Sequence, residues 1–140
     1  MKHIVYLSTS NGLMTENQLV EILRQARAYN TEHQITGLLL YSEGTFIQLI
    51  EGSAKDVDTI FSKIRYDNRH KGLIKLIDKP LAERDFPEWS MGFAAVNQDE
   101  AEEIIGYFQS FDKLLSSENK NSAVSLLKSF IKTNKLAVNN

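Results

Sequence analysis

Two side chains in this sequence have the chemistry to exchange a proton inside a sheet. In the run Thr45 to Glu51, side chains alternate between faces, so Phe46, Gln48 and Ile50 share one side and the Gln48 amide sits among apolar neighbours, where it needs partners. In the run His3 to Ser8, the residues Ile4, Tyr6 and Ser8 share a side in the same way. If the two sides coincide, a phenol meets an amide. With an ordinary pKa of about 10, the phenol keeps its proton at neutral pH until it is oxidised, and turning the amide swaps which neighbour receives a proton. Spacing alone also admits a plainer reading, in which the backbone satisfies Gln48 and Tyr6 is a core aromatic with a tethered hydroxyl.

Other polar residues read more simply. Asn30, just past a helical run, suits a C-cap, because asparagine tolerates the left-handed conformation. Arg65, Asp67, Arg69 and His70 read as a solvated helix end whose cations complement the dipole. Trp89 and Met91 read as sheet filler. His3, His33 and His70 are scattered without ligand spacing, so no metal is assigned. No Gly-x-Gly-x-x-Gly, Walker-type loop or nucleophile elbow is present, so a nucleotide-like cofactor must be held by another route.

The elements that must position these residues follow from periodicity. His3 to Ser8 is a first strand, broken by Asn11-Gly12. Thr15 with Gln18 three residues later is a capping-box signature, and Leu19, Ile22, Leu23 and Ala26 continue at helical spacing to about Tyr29. Ile35 to Tyr41 and Thr45 to Glu51 are strands joined through Ser42-Glu43-Gly44 as a hairpin. Ser53 caps a helix with core face Val57, Ile60, Phe61 and Ile64. Gly72 precedes a strand over Leu73 to Asp78, and Ser90 to Val96 forms a last strand after the Phe86-Pro87 turn.

The order β-α-β-β-α-β-β predicts a ferredoxin-like α+β fold: a mixed five-stranded sheet with two helices on one face. Acidic residues at Asp99, Glu100, Glu102 and Glu103 predict a helix start for Asp99 to Leu115, and Ser122 to Lys135 carries Val124, Leu127 and Ile131 at helical spacing. Strands two and three are apolar on both faces, so this C-terminal helix pair is expected to cover the second face.

Composition sets the outer limits. The chain has 140 residues, 16 basic and 18 acidic, and no cysteine, which excludes disulfides, thiol redox chemistry and iron–sulfur clusters. A chain of this length buries roughly two-thirds of its unfolded surface, enough for one domain with a real core. The near balance of charge argues against nucleic acid, and no stretch approaches the run of about 20 apolar residues needed for a membrane span, so a soluble, cytoplasmic protein is expected.

Several segments resemble the BLUF family, blue-light sensors that use a flavin. The likeness runs through VYLS, YNTEHQITGLLLYSEGTFIQLIEG, YDNRH and FPEWSM, in the family's order and spacing, over about the first 95 residues. It implies a sensor domain over residues 1–97 and a helical extension over 98–140 in the same compact unit. It implies FAD or FMN as cofactor; the two share the ring these motifs touch. Tyr6 matches the tyrosine that donates an electron and proton to the excited flavin. Gln48 matches the glutamine that hydrogen-bonds between that tyrosine and the flavin N5 and C4=O edge, then rotates or tautomerises. Asn30 matches the asparagine at the C4=O and N3 edge. Asp67, Arg69 and His70, with Lys63, match groups near the ribityl chain and phosphate. Trp89, Met91 and Ser8 match positions on the signal path, with Trp89 and Met91 as a pair on the last strand.

The resemblance implies a non-enzymatic photoreceptor, read by a downstream protein partner through the C-terminal helices, and short relatives that often form dimers or rings make a homo-oligomer a possible state. No nucleic acid or membrane partner is expected. A chain ending at Asn140 leaves no room for a fused effector, and the lack of a linker-like tail favours a natural end. The alternative is a flavin-free ferredoxin-like regulatory or interaction domain. An acylphosphatase-like hydrolase is disfavoured, because the turn Thr9 to Met14 offers no arginine for an anion.

Overall fold

The computed structural model describes residues 1–94 and 122–133. In chain order the elements are β1 (Lys2–Ser10), α1 (Glu16–Glu32), β2 (Thr36–Ser42), β3 (Thr45–Gly52), α2 (Ala54–Arg65), β4 (His70–Pro80), β5 (Gly92–Ala94) and α3 (Ser122–Thr133). The sheet order is β4-β1-β3-β2-β5. The four long strands pair antiparallel, and the three-residue β5 runs parallel to β2. The expected helix over Asp99 to Leu115 lies outside the described residues, as does the last strand beyond Ala94.

Local chemistry explains the boundaries. Thr15 accepts from the Gln18 backbone N–H while the Gln18 side chain accepts from the Thr15 N–H, closing the capping box of α1, and Ser53 caps α2 through the Asp56 N–H. The β2–β3 hairpin is tighter than its three-residue reading: Ser42 pairs with Thr45, leaving Glu43 and Gly44 as a two-residue loop with φ of 47° and 88°. Strand β4 is longer than expected at both ends. Gly72 lies inside it, at φ 62°, where one extra residue of β4 is accommodated between the Leu7–Ile74 and Thr9–Lys71 pairs. That bulge lets the strand begin at His70.

Alternation divides the apolar residues between two cores. Ile4, Tyr6, Leu39, Tyr41, Phe46 and Ile50 face α1 and α2, packing with Leu19, Leu23, Val57, Ile60 and Phe61. Val5, Leu38, Leu40, Ile47 and Leu49 face the other way, against Ile77, Phe86 and the α3 residues Ala123, Val124 and Leu127. One helix of the expected pair thus sits on the second face.

Candidate functional site

Strand register brings Tyr6 and Gln48 together, because they are directly opposite in the β1–β3 pair. The Tyr6 hydroxyl donates to Gln48 Oε1, and Gln48 Nε2 donates to Met91 Sδ at 3.4 Å. All three side chains are buried. A thioether is a weak acceptor and an amide has two N–H donors, so the nitrogen end of Gln48 keeps donor capacity. Burial raises the Tyr6 pKa well above the ordinary phenol value, and the nearby Asp67 charge adds to the shift. The phenol therefore holds its proton across the neutral range.

This pair forms part of the floor of a cavity of about 310 Å³. Tyr6, Leu39, Phe46 and Gln48 come from the sheet, Ile22, Gln25, Ala26, Tyr29 and Asn30 from α1, and Ile60, Lys63 and Ile64 from α2. Asp67, Arg69 and His70 complete the lining. Mostly apolar walls with a few convergent polar groups are the usual make-up of a small-molecule site.

Asn30 is not a C-cap. The helix continues to Glu32 with His33 as its cap, so Asn30 is held inside the last turn and fully buried. Its Nδ2 donates to the Ser90 carbonyl at 2.8 Å, which fixes the amide and leaves Oδ1 buried with no hydrogen-bond partner among the described residues. A buried acceptor without a donor costs about 1–3 kcal/mol. The cavity residues thus want a ligand that donates to Asn30 Oδ1 and accepts from Gln48 Nε2. The edge of a flavin ring, with an N–H beside ring nitrogen and carbonyl acceptors, has that chemistry.

The polar end is more committed to itself. Arg69 spends its fork on Asp67, with Nε at 3.0 and 3.1 Å from the two carboxylate oxygens and a terminal nitrogen at 2.5 Å, while another reaches Gln25 Oε1 at 3.0 Å. These bonds hold the Asp67 carboxyl below the usual carboxylate range. His70 has both ring nitrogens engaged, Nδ1 with Ser8 Oγ at 2.8 Å and Nε2 with the Ile64 carbonyl at 2.6 Å. A carbonyl only accepts, so Nε2 carries a proton, and in that tautomer of the neutral ring Nδ1 would accept from the Ser8 hydroxyl. Lys63 lies 4.5 Å over the Tyr29 ring, which stacks on His33 at 4.0 Å. Arg65 does not line the cavity and lies over Phe61 instead.

Trp89 and Met91 precede β5 rather than lying on it, and they part company. Met91 is buried in the core shared with α1 and α2, whereas half-buried Trp89 belongs to the second face, stacked on Phe86 at 5.7 Å. The segment is held by Gly37 N–H to the Trp89 carbonyl at 3.0 Å and by Arg27 Nε to the Met91 carbonyl at 2.9 Å. Sequence reasoning missed Arg27, and it missed Glu51, whose buried carboxylate accepts from Asp85 N–H, Phe86 N–H and Thr36 Oγ1. The signal for Glu51 was there: an ionisable residue ending a strand apolar on both faces. Ile22, Ala26 and Ile64 read as core, and their partial exposure comes from walling the cavity.

Fold and cavity together define an α+β domain with a small-molecule site, a phenol–amide pair in its floor. Residues 1–92 match the family described as BLUF, sensors of blue-light using FAD. The chain belongs to that family. It is 32% identical over 114 residues to photoactivated adenylate cyclase subunit beta of Euglena longa, a match covering 81% of this chain and 13% of that protein. It spans about an eighth of that relative's length. Among solved structures, the dark state of BlrB, a BLUF protein, superposes with TM-score 0.65 at 30% identity, covering 79% of this chain and 83% of that one. The photo-activated state of BlsA gives TM-score 0.66 at 28% identity, covering 99% and 97%. BLUF domains bind flavin, and the cavity residues fit one. Among the described residues, no helix is long and apolar enough to cross a membrane.

Proposed function

We propose that this chain is a blue-light receptor whose flavin sits in the α1–α2 cavity and whose output is a changed contact with a partner protein. The observation that carries the reading is the Tyr6–Gln48–Met91 chain of hydrogen bonds beside the unpartnered Asn30 Oδ1. Asn30 and Gln48 hold the ring edge, and Asp67, Arg69, His70 and Lys63 hold the ribityl and phosphate end. A bound flavin supplies absorption of blue light and an excited ring that takes up an electron. Tyr6 is the side chain placed to lose one. An oxidised phenol is a strong acid, so its proton moves along the existing bond to Gln48 Oε1, which has no other protein donor among the described contacts. Gln48 then presents a different donor and acceptor pattern, and Met91 Sδ feels the change first. Ser8, held by His70, and Trp89 lie on the routes by which the sheet registers it.

Residues 1–97 are read as the sensing unit and 98–140 as the helical extension that carries the signal, with no catalysis of its own. The test is absorption of the purified protein. A yellow protein with a small red shift under blue light that reverses in the dark is expected; a colourless protein, or a flavin spectrum indifferent to light, would refute the reading.

A further inference from the structure

Segment 85–91 links the two faces of the sheet. It begins on the second face, where Phe86 and Trp89 stack, and ends on the cavity face, where Met91 Sδ accepts from Gln48. At its beginning, one side chain takes two successive backbone N–H groups. Glu51 Oε1 accepts from Asp85 N–H at 2.8 Å and Oε2 from Phe86 N–H at 2.8 Å, with Thr36 Oγ1 donating to Oε2 at 2.7 Å. Arg84 donates to Thr36 Oγ1 at 2.9 Å and to the Glu51 carbonyl at 3.2 Å, completing the site. A carboxylate is placed on strand β3 only three residues from Gln48, on the opposite face, and it is completely buried. Burial alone disfavours such a group; the convergent donors keep it there.

We propose that Glu51 is a positioning residue for the photochemistry: by clamping the Asp85 and Phe86 backbone it delivers Met91 Sδ to Gln48, and so sets the rate at which the light-adapted arrangement returns to the dark one. The proposal rests on Tyr6 and Gln48 being the photoactive pair. It also takes the Gln48–Met91 bond as part of the dark arrangement, which the bond then favours. Loosening the clamp weakens that bond and slows the return.

The test compares dark recovery of the flavin-bound protein after blue light. In Glu51→Gln an amide oxygen can serve one backbone N–H while the NH2 opposes the other. Losing one hydrogen bond of ordinary worth slows recovery about fivefold, with the dark spectrum unchanged. Thr36→Val, which removes one donor and leaves both backbone contacts, slows it about twofold and carries the test if Glu51→Gln fails to fold. In a Met91→Leu background, Glu51→Gln should add no further slowing, because its effect runs through the sulfur. A second-face control, Ile77→Ala, lowers the melting temperature without this signature. Recovery of Glu51→Gln at or above the wild-type rate, or full additivity with Met91→Leu, overturns the proposal. A wild-type protein with no reversible shift instead fails the receptor reading itself, and the clamp falls with it.

Discussion

Replacing Tyr6 by phenylalanine deletes one oxygen and separates what the pair does for stability from what it does in light. The ring keeps its edge-on contacts to Phe61 at 5.9 Å and His70 at 6.2 Å, so the cavity floor keeps its shape and flavin should remain bound. Gln48 Oε1, buried, loses the hydroxyl that donates to it. An orphaned buried acceptor costs about 1–3 kcal/mol, well inside the roughly 5–15 kcal/mol that holds a domain folded. At roughly 4 °C per kcal/mol for a chain of this size, melting should fall by about 4–12 °C. The photochemical effect is of another order. Without the phenol there is no proton for Gln48 Oε1 to receive, so the light-induced red shift should vanish rather than shrink. Thermal melting and light-minus-dark absorption on the same flavin-loaded sample read both quantities. A Tyr6→Phe protein that is folded, yellow and still red-shifts to the wild-type extent would refute the assignment.

Asn30→Ala removes both the unpartnered amide oxygen and the anchor to Ser90, and should weaken flavin retention about tenfold, measured by fluorescence titration of the apoprotein. At Gly92 an added Cβ would lie 2.3 Å from Trp89 Cε3, so Gly92→Ala should push the indole off the second face and red-shift tryptophan emission while the cavity keeps its flavin. The raised pKa of Tyr6 predicts a pH effect. The unfolded chain releases that proton near pH 10 and the folded chain does not, so the folded state binds the extra proton and its stability is complete below about pH 10 and falls as pH rises beyond it. Urea midpoints from pH 8 to 11 should fall less steeply in Tyr6→Phe; equal slopes would show that Tyr6 is not the protonated buried phenol.

Legibility followed the range of the forces involved. Strand alternation correctly sorted Leu39 from Leu38 and Leu40, and Phe46 and Ile50 from Ile47 and Leu49, because period two is a property of the strand itself. Caps at Thr15 and Ser53 were equally local. The Tyr6–Gln48 encounter was legible only as a conditional, since each strand shows which residues share a face and the register between strands decides which of them meet. What escaped was contact between segments far apart in sequence. Asn30 looked like a cap because nothing nearby announces that Ser90 will take its Nδ2. Gly72 looked like a strand boundary because the bulge that absorbs it exists only against β1. The resemblance pairs Trp89 and Met91 on the last strand; the segment is not strand there, and they end on opposite faces.

That separation bears on how a change at Gln48 could reach the rest of the molecule. The cavity face and the α3 face share a sheet whose strands are buried on both sides, and a close-packed interior passes strain along whatever connects the two faces. Two things cross. Strand β3 does so through its own alternation, with Gln48 facing the cavity and Ile47 and Leu49 facing the core that holds Val124 and Leu127. Segment 85–91 does so bodily, with Met91 at one end and Phe86 and Trp89 at the other. An exchange of one or two hydrogen bonds is worth about 1–3 kcal/mol, a shift of roughly 5- to 150-fold in a two-state equilibrium, but only if the two states differ at the partner's surface. A strand fixed in register on both sides offers no second state. The segment is joined by individual side-chain and backbone bonds rather than by a ladder, so it can rearrange without shifting a strand's register. Proline at residue 37 puts these routes in competition: Gly37→Pro deletes the N–H bond to the Trp89 carbonyl, and the clash of any Cβ there with the Leu49 carbonyl, 1.9 Å away, disturbs β3 as well. Trp89→Ala disturbs the segment alone. If Trp89→Ala leaves the flavin shift intact yet abolishes the light-induced change in hydrogen exchange at α3, the signal travels through the segment; an unaltered exchange response would assign it to β3.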